Sequence, residues 1–143
     1  PTGGAASDGS DGAKHYKRCA ACHLPTGKGV PGAYPPLKDK LATFYDDPEG
    51  RAYLVLVLSK GMTGSIEIDG VTYRGFMPAQ GRALKDEGVA SVLNYILREF
   101  HEGNDSAAFT SKEVKEIVAA HPKLKARDLA KMRQLLVTSS KGE

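Results

Sequence analysis

The sequence has no tryptophan, and its aromatic side chains are limited to six tyrosines and four phenylalanines in 143 residues. A core with so few large side chains needs a second apolar body to fill it. No apolar run approaches the ~20 residues that span a bilayer, so no membrane span is expected. The formal charge excess is only +3, too small to argue for nucleic acid. Phosphate-cradling loops, nucleophile–base pairs and paired acids in a clear context are missing. The chain opens at Pro1 without a signal peptide and reads as a processed or trimmed form. Its length allows one domain, or one domain with an appendage.

Cysteine is scarce too, and its two copies stand together in Cys19-Ala20-Ala21-Cys22-His23. Two cysteines three apart with a histidine directly after them form the pentad of covalent haem attachment. Each thiol adds to one porphyrin vinyl group, and the two vinyls sit side by side on the ring edge. One helical turn separates Cys19 from Cys22, so both thiols reach that edge. His23 lies four residues from Cys19 and one from Cys22, which brings its imidazole under the iron as proximal ligand. Two other readings of a Cys-x-x-Cys run stand beside this one. A redox dithiol wants a βαβ context, which is missing, and a zinc site wants a second Cys or His pair, for which no cysteine remains. With both thiols bound to haem, no structural disulfide is expected.

The pentad, the segment Tyr73-Arg74-Gly75-Phe76-Met77-Pro78 and the helical stretch from Val89 to Leu97 together resemble a class I monohaem cytochrome c, over about Gly12 to Phe100. The resemblance implies an all-α cytochrome c fold around one haem c, bound through Cys19 and Cys22. It implies a proline carbonyl that orients the ligating imidazole, two residues before a leucine that touches the ring, and Pro35 and Leu37 fit that pattern. It also implies a distal methionine. Met77, in its Gly-Phe-Met-Pro context, is the candidate; a soft, neutral thioether favours reduced iron and raises the potential. The other reading of Met77 is a filler of a core gap. Met62 is expected to pack near the haem and Met132 in a helical core, and Tyr73 completes the expected cofactor-binding set. The family places an aromatic residue one turn before the first cysteine, packed on the last helix of the haem domain. Tyr16 is expected there, with His15 at the surface. Haem of this kind is attached outside the bacterial cytoplasm, so the resemblance implies export to the periplasm.

Three segments follow in order: a small, polar N-terminal stretch over 1–11, a haem domain over 12–103, and a C-terminal extension over 104–143 packed on the haem domain. The first helix is expected from Ser10 or Asp11 to about Cys22. The Gly- and Pro-rich run from Leu24 to Pro36 excludes helix and central strand. A short helix is expected within 37–44, ending near Phe44 and Tyr45. Asp47 as N-cap, Pro48 in the first turn and Gly61 past the end mark the next helix. Ile66-Glu67-Ile68 and Val71-Thr72-Tyr73 alternate around Asp69-Gly70, a β-hairpin turn. Such a hairpin must lie on something, and the haem edge near the propionates is the expected surface. From Leu84 to about Phe100 the pattern is an amphipathic helix with Val89, Val92, Leu93, Ile96 and Phe100 on one side.

The extension reads as two short helices packed as a hairpin against the haem domain. A Thr110/Glu113 capping box opens the first, with Val114, Ile117 and Val118 as its apolar stripe. The second runs from about Ala126 to Val137, with Leu129, Met132, Leu135 and Leu136 inward. His101 and His121 are expected at the surface. From Thr110 onward eight Lys and Arg face four acids, against twelve and thirteen before it. A basic face of Lys123, Lys125, Arg127, Lys131 and Arg133 is therefore a candidate docking surface for an acidic partner, beside the plainer reading of stabilising cover.

An iron held on both faces has no open position for substrate and can only change charge. The expected function is a periplasmic electron carrier, not an enzyme, passing single electrons between redox proteins. The alternatives are a haem subunit bound to a dehydrogenase or reductase, and a haem enzyme or gas-binding protein whose distal ligand is easily lost.

Overall fold

A computed structural model describes residues 10–141 of the chain. Of the expected N-terminal stretch, residues 1–9 lie outside the described range, while Ser10 and Asp11 are already helical. Helix α1 spans Ser10–His23, α2 Ala42–Tyr45 and α3 Pro48–Lys60. Strands β1, Met62–Ile68, and β2, Val71–Met77, form one antiparallel hairpin. Helices α4, Gly81–Phe100, α5, Ser111–Ala120, and α6, Leu129–Lys141, complete the order, with a 3₁₀ turn at Ala126–Asp128.

The crossing of α1 on α4 anchors residues 10–100. Tyr16, 3% exposed, meets Tyr95 and Phe100 with ring centroids 5.3 Å away in each case. Edge and tilted ring contacts of this kind add to the value of the buried area itself. Gly12 lets the two helices approach closely: a Cβ there would run into the Ser91 carbonyl and stand 2.7 Å from Tyr95 Cβ. A helical glycine costs about 1 kcal/mol relative to alanine, so its place at this crossing is set by packing.

Helix α3 begins and ends as its sequence dictates. Asp47 Oδ2 accepts from the Gly50 N–H at 2.9 Å, Pro48 opens the first turn, and Gly61 leaves the helix with φ +78. Leu54, Val55, Leu56 and Leu58 are buried in it. Helix α4 is broken at Lys85, whose φ of 60 and ψ of 178 separate a first turn from the long segment that follows. Asp86 and Glu87 therefore open that segment, where acidic side chains complement the helix dipole. Val89, Val92, Leu93, Ile96 and Phe100 are all buried along it.

The hairpin turn is of the primed type, with φ of 52 at Asp69 and 80 at Gly70, matching the twist of the strands it joins. The strands are longer than the alternating runs alone mark. They extend past Gly64 and Gly75, which pair with each other, to the pairing of Met62 with Met77. Glycine weakens the strand signal, which is why the outer half is hard to read in advance. Helix α6 covers part of this hairpin: Ala130 Cβ lies 3.6 Å from where a Cβ of Gly64 would be, and Arg133 Nη1–H donates to the Glu67 carbonyl at 3.2 Å. The hairpin thus rests on protein as well as on whatever lies at its far edge.

The last helices do not form a hairpin of their own. Helix α5 packs chiefly on α3 and α4, and α6 on α3 and β1. Each has a buried foot, Val114 for α5 and Leu129 for α6, while Phe109 before α5 is also fully buried. Asn94 binds Phe109 in both directions, donating from Nδ2 to its carbonyl at 2.9 Å and accepting its N–H at 2.7 Å. Thr110 Oγ1 caps the Glu113 N–H at 3.1 Å, but the Glu113 carboxylate turns instead to Arg51, with two hydrogen bonds of 2.8 and 2.7 Å. The Arg51 guanidinium also lies 3.9 Å over the Phe109 ring. Lys60 Nζ donates to the His121 carbonyl and, at 2.9 Å, to that of Leu124. This places a cation at the negative end of α5.

Three further expectations need correction. Leu135 is 60% exposed, because the inward stripe of α6 runs through Leu129, Met132 and Leu136. His101 is buried, not at the surface. Its Nδ1–H donates to the Ile96 carbonyl at 3.2 Å, its Nε2 accepts the Leu41 N–H at 3.0 Å, and Tyr45 packs on its ring. His121 is half-buried, with Nδ1 2.9 Å from the Ile117 carbonyl.

Candidate haem site

Helix α1 carries the pentad at its C-terminal end. Cys19 is buried, Cys22 half-buried, and both thiols are free. Burial pushes the Cys19 thiol up to about 11, against the opposing pull of the Arg18 charge. A redox-active dithiol needs the opposite, a lowered thiol pKa that populates the thiolate. Among the described residues no three His, Cys, Asp or Glu side chains converge on a point, which leaves the zinc reading without ligands. Two free thiols one turn apart suit thioether formation.

After His23 the chain turns sharply. Leu24 takes a φ of 69, unusual for a residue with a branched side chain, and is held there from both ends. Its N–H donates to the Ala20 carbonyl at 3.0 Å and its own carbonyl accepts the Tyr16 hydroxyl at 2.8 Å. Tyr16 thus packs the helix and pins the residue behind the histidine. The Gly/Pro loop then folds back toward His23. Gly27 packs where a Cβ would stand 2.9 Å from the Phe100 ring, and its carbonyl accepts the Leu37 N–H at 2.7 Å.

This return brings Pro35 to His23, whose Nδ1 lies 2.7 Å from the Pro35 carbonyl. A carbonyl only accepts, so Nδ1 carries the proton and Nε2 is the nitrogen with a lone pair. Burial holds the imidazole below the usual histidine range, with the Pro35 bond pulling the other way. A neutral ring with Nδ1 fixed is the form that binds iron. Leu37 is half-buried against the core beside this loop.

The remaining candidates, Met62, Tyr73 and Met77, lie in the hairpin. Met62 and Met77 are cross-strand partners, both half-buried against the core, and Tyr73 is buried opposite Ile66. The chain beyond Met77 is seated on the end of α3. A Cβ on Gly61 would stand 2.5 Å from the Met77 carbonyl oxygen and 2.9 Å from the Ala79 nitrogen. The Gln80 N–H donates to the Leu58 carbonyl at 2.8 Å. Phe76, by contrast, is 72% exposed. Two surface clefts lie along the α3–α5 seam, lined by Pro48, Arg51 and Glu113 among others, and none of the candidate haem residues lines them.

Comparison with known proteins decides the family. The cytochrome c family model matches residues 9–98. The chain belongs to the cytochrome c family. A cytochrome c-552 of Thermus thermophilus is 42% identical over 120 residues, covering 82% of this chain and 80% of that protein. A second Thermus thermophilus cytochrome c-552 is 42% identical over 113 residues, covering 77% of this chain and 86% of its own length. The cofactor of this cytochrome is haem c, joined through Cys19 and Cys22, and its role is that of an electron carrier working with redox partners. Among the described residues no helix is long and apolar enough to cross a membrane. The sequence reading missed Gly12 and Gln80 and took Gly61 for a helix end alone. Beside Tyr16, a glycine inside a helix was the available signal for close backbone approach at the α1–α4 crossing.

Proposed function

We propose that this cytochrome is a periplasmic single-electron shuttle with His23 and Met77 as axial ligands. The observation that carries the reading is the His23–Pro35 bond of 2.7 Å, which fixes the tautomer a ligating imidazole needs. The haem, when bound, supplies a ferric/ferrous couple that changes charge without forming or breaking bonds to a substrate. The chain's own task is to hold the same two ligands in both states, so that little reorganises. His23 does this through Pro35 and through the pinned Leu24. Met77 does it through its ladder partner Met62 and its seat on Gly61. Leu37, Met62 and Tyr73 would exclude water from the bound ring. The periplasm is the compartment that fits, since haem of this type is attached outside the bacterial cytoplasm.

Its partners are redox proteins. The extension supplies a docking face of exposed cations at Lys123, Lys125, Arg127 and Lys131, suited to an acidic partner. Arg133 is tied inward to Glu67 and Phe44 and contributes less. Exposed charges act within a Debye length of ~8 Å at physiological salt, so the bimolecular electron-transfer rate should fall as salt rises. Neutralising the four cations should flatten that dependence.

The test of the carrier reading is carbon monoxide. The ferrous protein should keep its spectrum on mixing, because both axial positions are held by protein. Rapid adduct formation would assign an open position, and with it a gas-binding or enzymatic role.

A further inference from the structure

We propose that Arg18 and Gln80 form a strap that closes the Met77 loop against the pentad helix, with Gln80 acting as a positioning residue for the distal ligand. The proposal rests on the assignment of Met77 above. Arg18 directly precedes Cys19, and Gln80 stands three residues after Met77. Arg18 Nε–H donates to Gln80 Oε1 at 2.8 Å across 62 positions of chain. The other end of the same amide, Nε2–H, donates to the Pro78 carbonyl at 3.2 Å. The Gln80 backbone is engaged as well, its N–H on the Leu58 carbonyl at 2.8 Å and its carbonyl on the Leu84 N–H at 2.9 Å. One residue therefore joins α1, the end of α3, the first turn of α4 and the turn that follows Met77.

The choice of side chain supports a bridging role. Gln80 occupies the N-cap position of α4, where Ser, Thr, Asp or Asn would cap the helix, yet its side chain makes no capping bond. Its amide is turned away from the helix and toward Pro78 and Arg18. The floor of the loop is formed without it: Gly61 lies under the Met77 carbonyl, and a Cβ on Gly81 would stand 2.8 Å from the Ser59 carbonyl oxygen. The α3 side of the loop is thus held by close backbone packing, and the α1 side by Arg18. Cutting the strap leaves the floor intact and frees the side that faces the pentad helix. The effect falls on how readily Met77 gives way to another ligand, with little effect on global stability.

The test is a titration of the haem-loaded ferric protein with imidazole, followed by loss of the thioether-to-iron charge-transfer band at the red edge of the spectrum. One charge-assisted hydrogen bond of modest net strength converts to a change of about three- to tenfold. Arg18→Ala and Gln80→Ala should each bind imidazole more tightly by that factor. Arg18→Lys, which keeps a cationic donor, should lie between them and the unaltered protein. The double variant should gain less than the product of the two single effects, because both remove the same bond. Affinities within about twofold of the parent in both alanine variants, with the parent's band present, would overturn the strap alone. Absence of the band in the parent would overturn the assignment of Met77 and the strap with it. A general loss of packing would shift the denaturation midpoint in all three variants and show no recovery with lysine, which would also count against the strap.

Discussion

The two sides of the proposed haem site are built in different ways. On the His23 side the hydrogen bonds lie close in sequence, Tyr16 to Leu24, Pro35 to His23 and Gly27 to Leu37, and α4 adds only the packing of Tyr95 and Phe100. On the Met77 side the supports come from afar. Met62 is the ladder partner, Leu58 and Gly61 form the floor, Arg18 reaches over from α1, and Ala130 and Arg133 of α6 lie on the first strand. The hydrogen bonds of the first side form a local chain motif, whereas those of the second exist only once the whole chain has folded. Local contacts close small loops at little entropic cost, so the His23 side should survive perturbations that release Met77.

The largest expected effects come from the two proposed ligands. His23→Ala should abolish accumulation of haem-loaded protein, measured by the covalent haem signal of the purified chain. Met77→Ala should leave the haem attached and change only the axial field, giving a high-spin or water-ligated spectrum. Equal loss of attached haem in both variants would erase the contrast between the two sides.

Next in size is the foot of α6. Leu129 is fully buried, and Leu129→Ala should cost about 2–5 kcal/mol in denaturant unfolding. The same variant should loosen the hairpin under α6, so distal exchange should speed up well before global unfolding. A smaller but cleaner comparison uses two glycines of similar conformation. Gly61 and Gly27 have φ of 78 and 74, and each packs where a Cβ would collide. Gly61→Ala and Gly27→Ala should each destabilise by about 1–3 kcal/mol. Only Gly61→Ala should weaken the sulfur charge-transfer band, because only that Cβ presses on the Met77 carbonyl.

The smallest effect is a pH dependence at His101. Burial lowers its pKa below the ordinary histidine value, so the unfolded chain binds the proton more readily than the folded one. Stability from this group is full above about pH 6.5, the unfolded value, and declines as pH falls below it. In a His101→Asn variant, the drop in denaturation midpoint between neutral and mildly acidic pH should shrink.

Much of the His23 side was legible in the sequence. The pentad states its role in its residue types and spacing, and the roles of Pro35, Leu37 and Tyr16 came from the resemblance to the cytochrome c family. The helix ends at Asp47 and Gly61 and the Asp69-Gly70 turn were legible because caps and primed turns have narrow residue requirements. The outer strands were obscured by Gly64 and Gly75. Leu135 was misread because helical spacing alone does not say where the covering surface ends. His101 and Arg51 were invisible as structural residues, since their partners Leu41, Ile96, Glu113 and Phe109 are fixed only by tertiary packing. Gln80 was missed for the same reason.

The central claim is tested most directly by the visible spectrum of the purified ferric protein and of its Met77→Ala variant. The account predicts a low-spin spectrum with a thioether-to-iron charge-transfer band in the first and loss of that band in the second. A high-spin parent, or a band that persists without Met77, would contradict it.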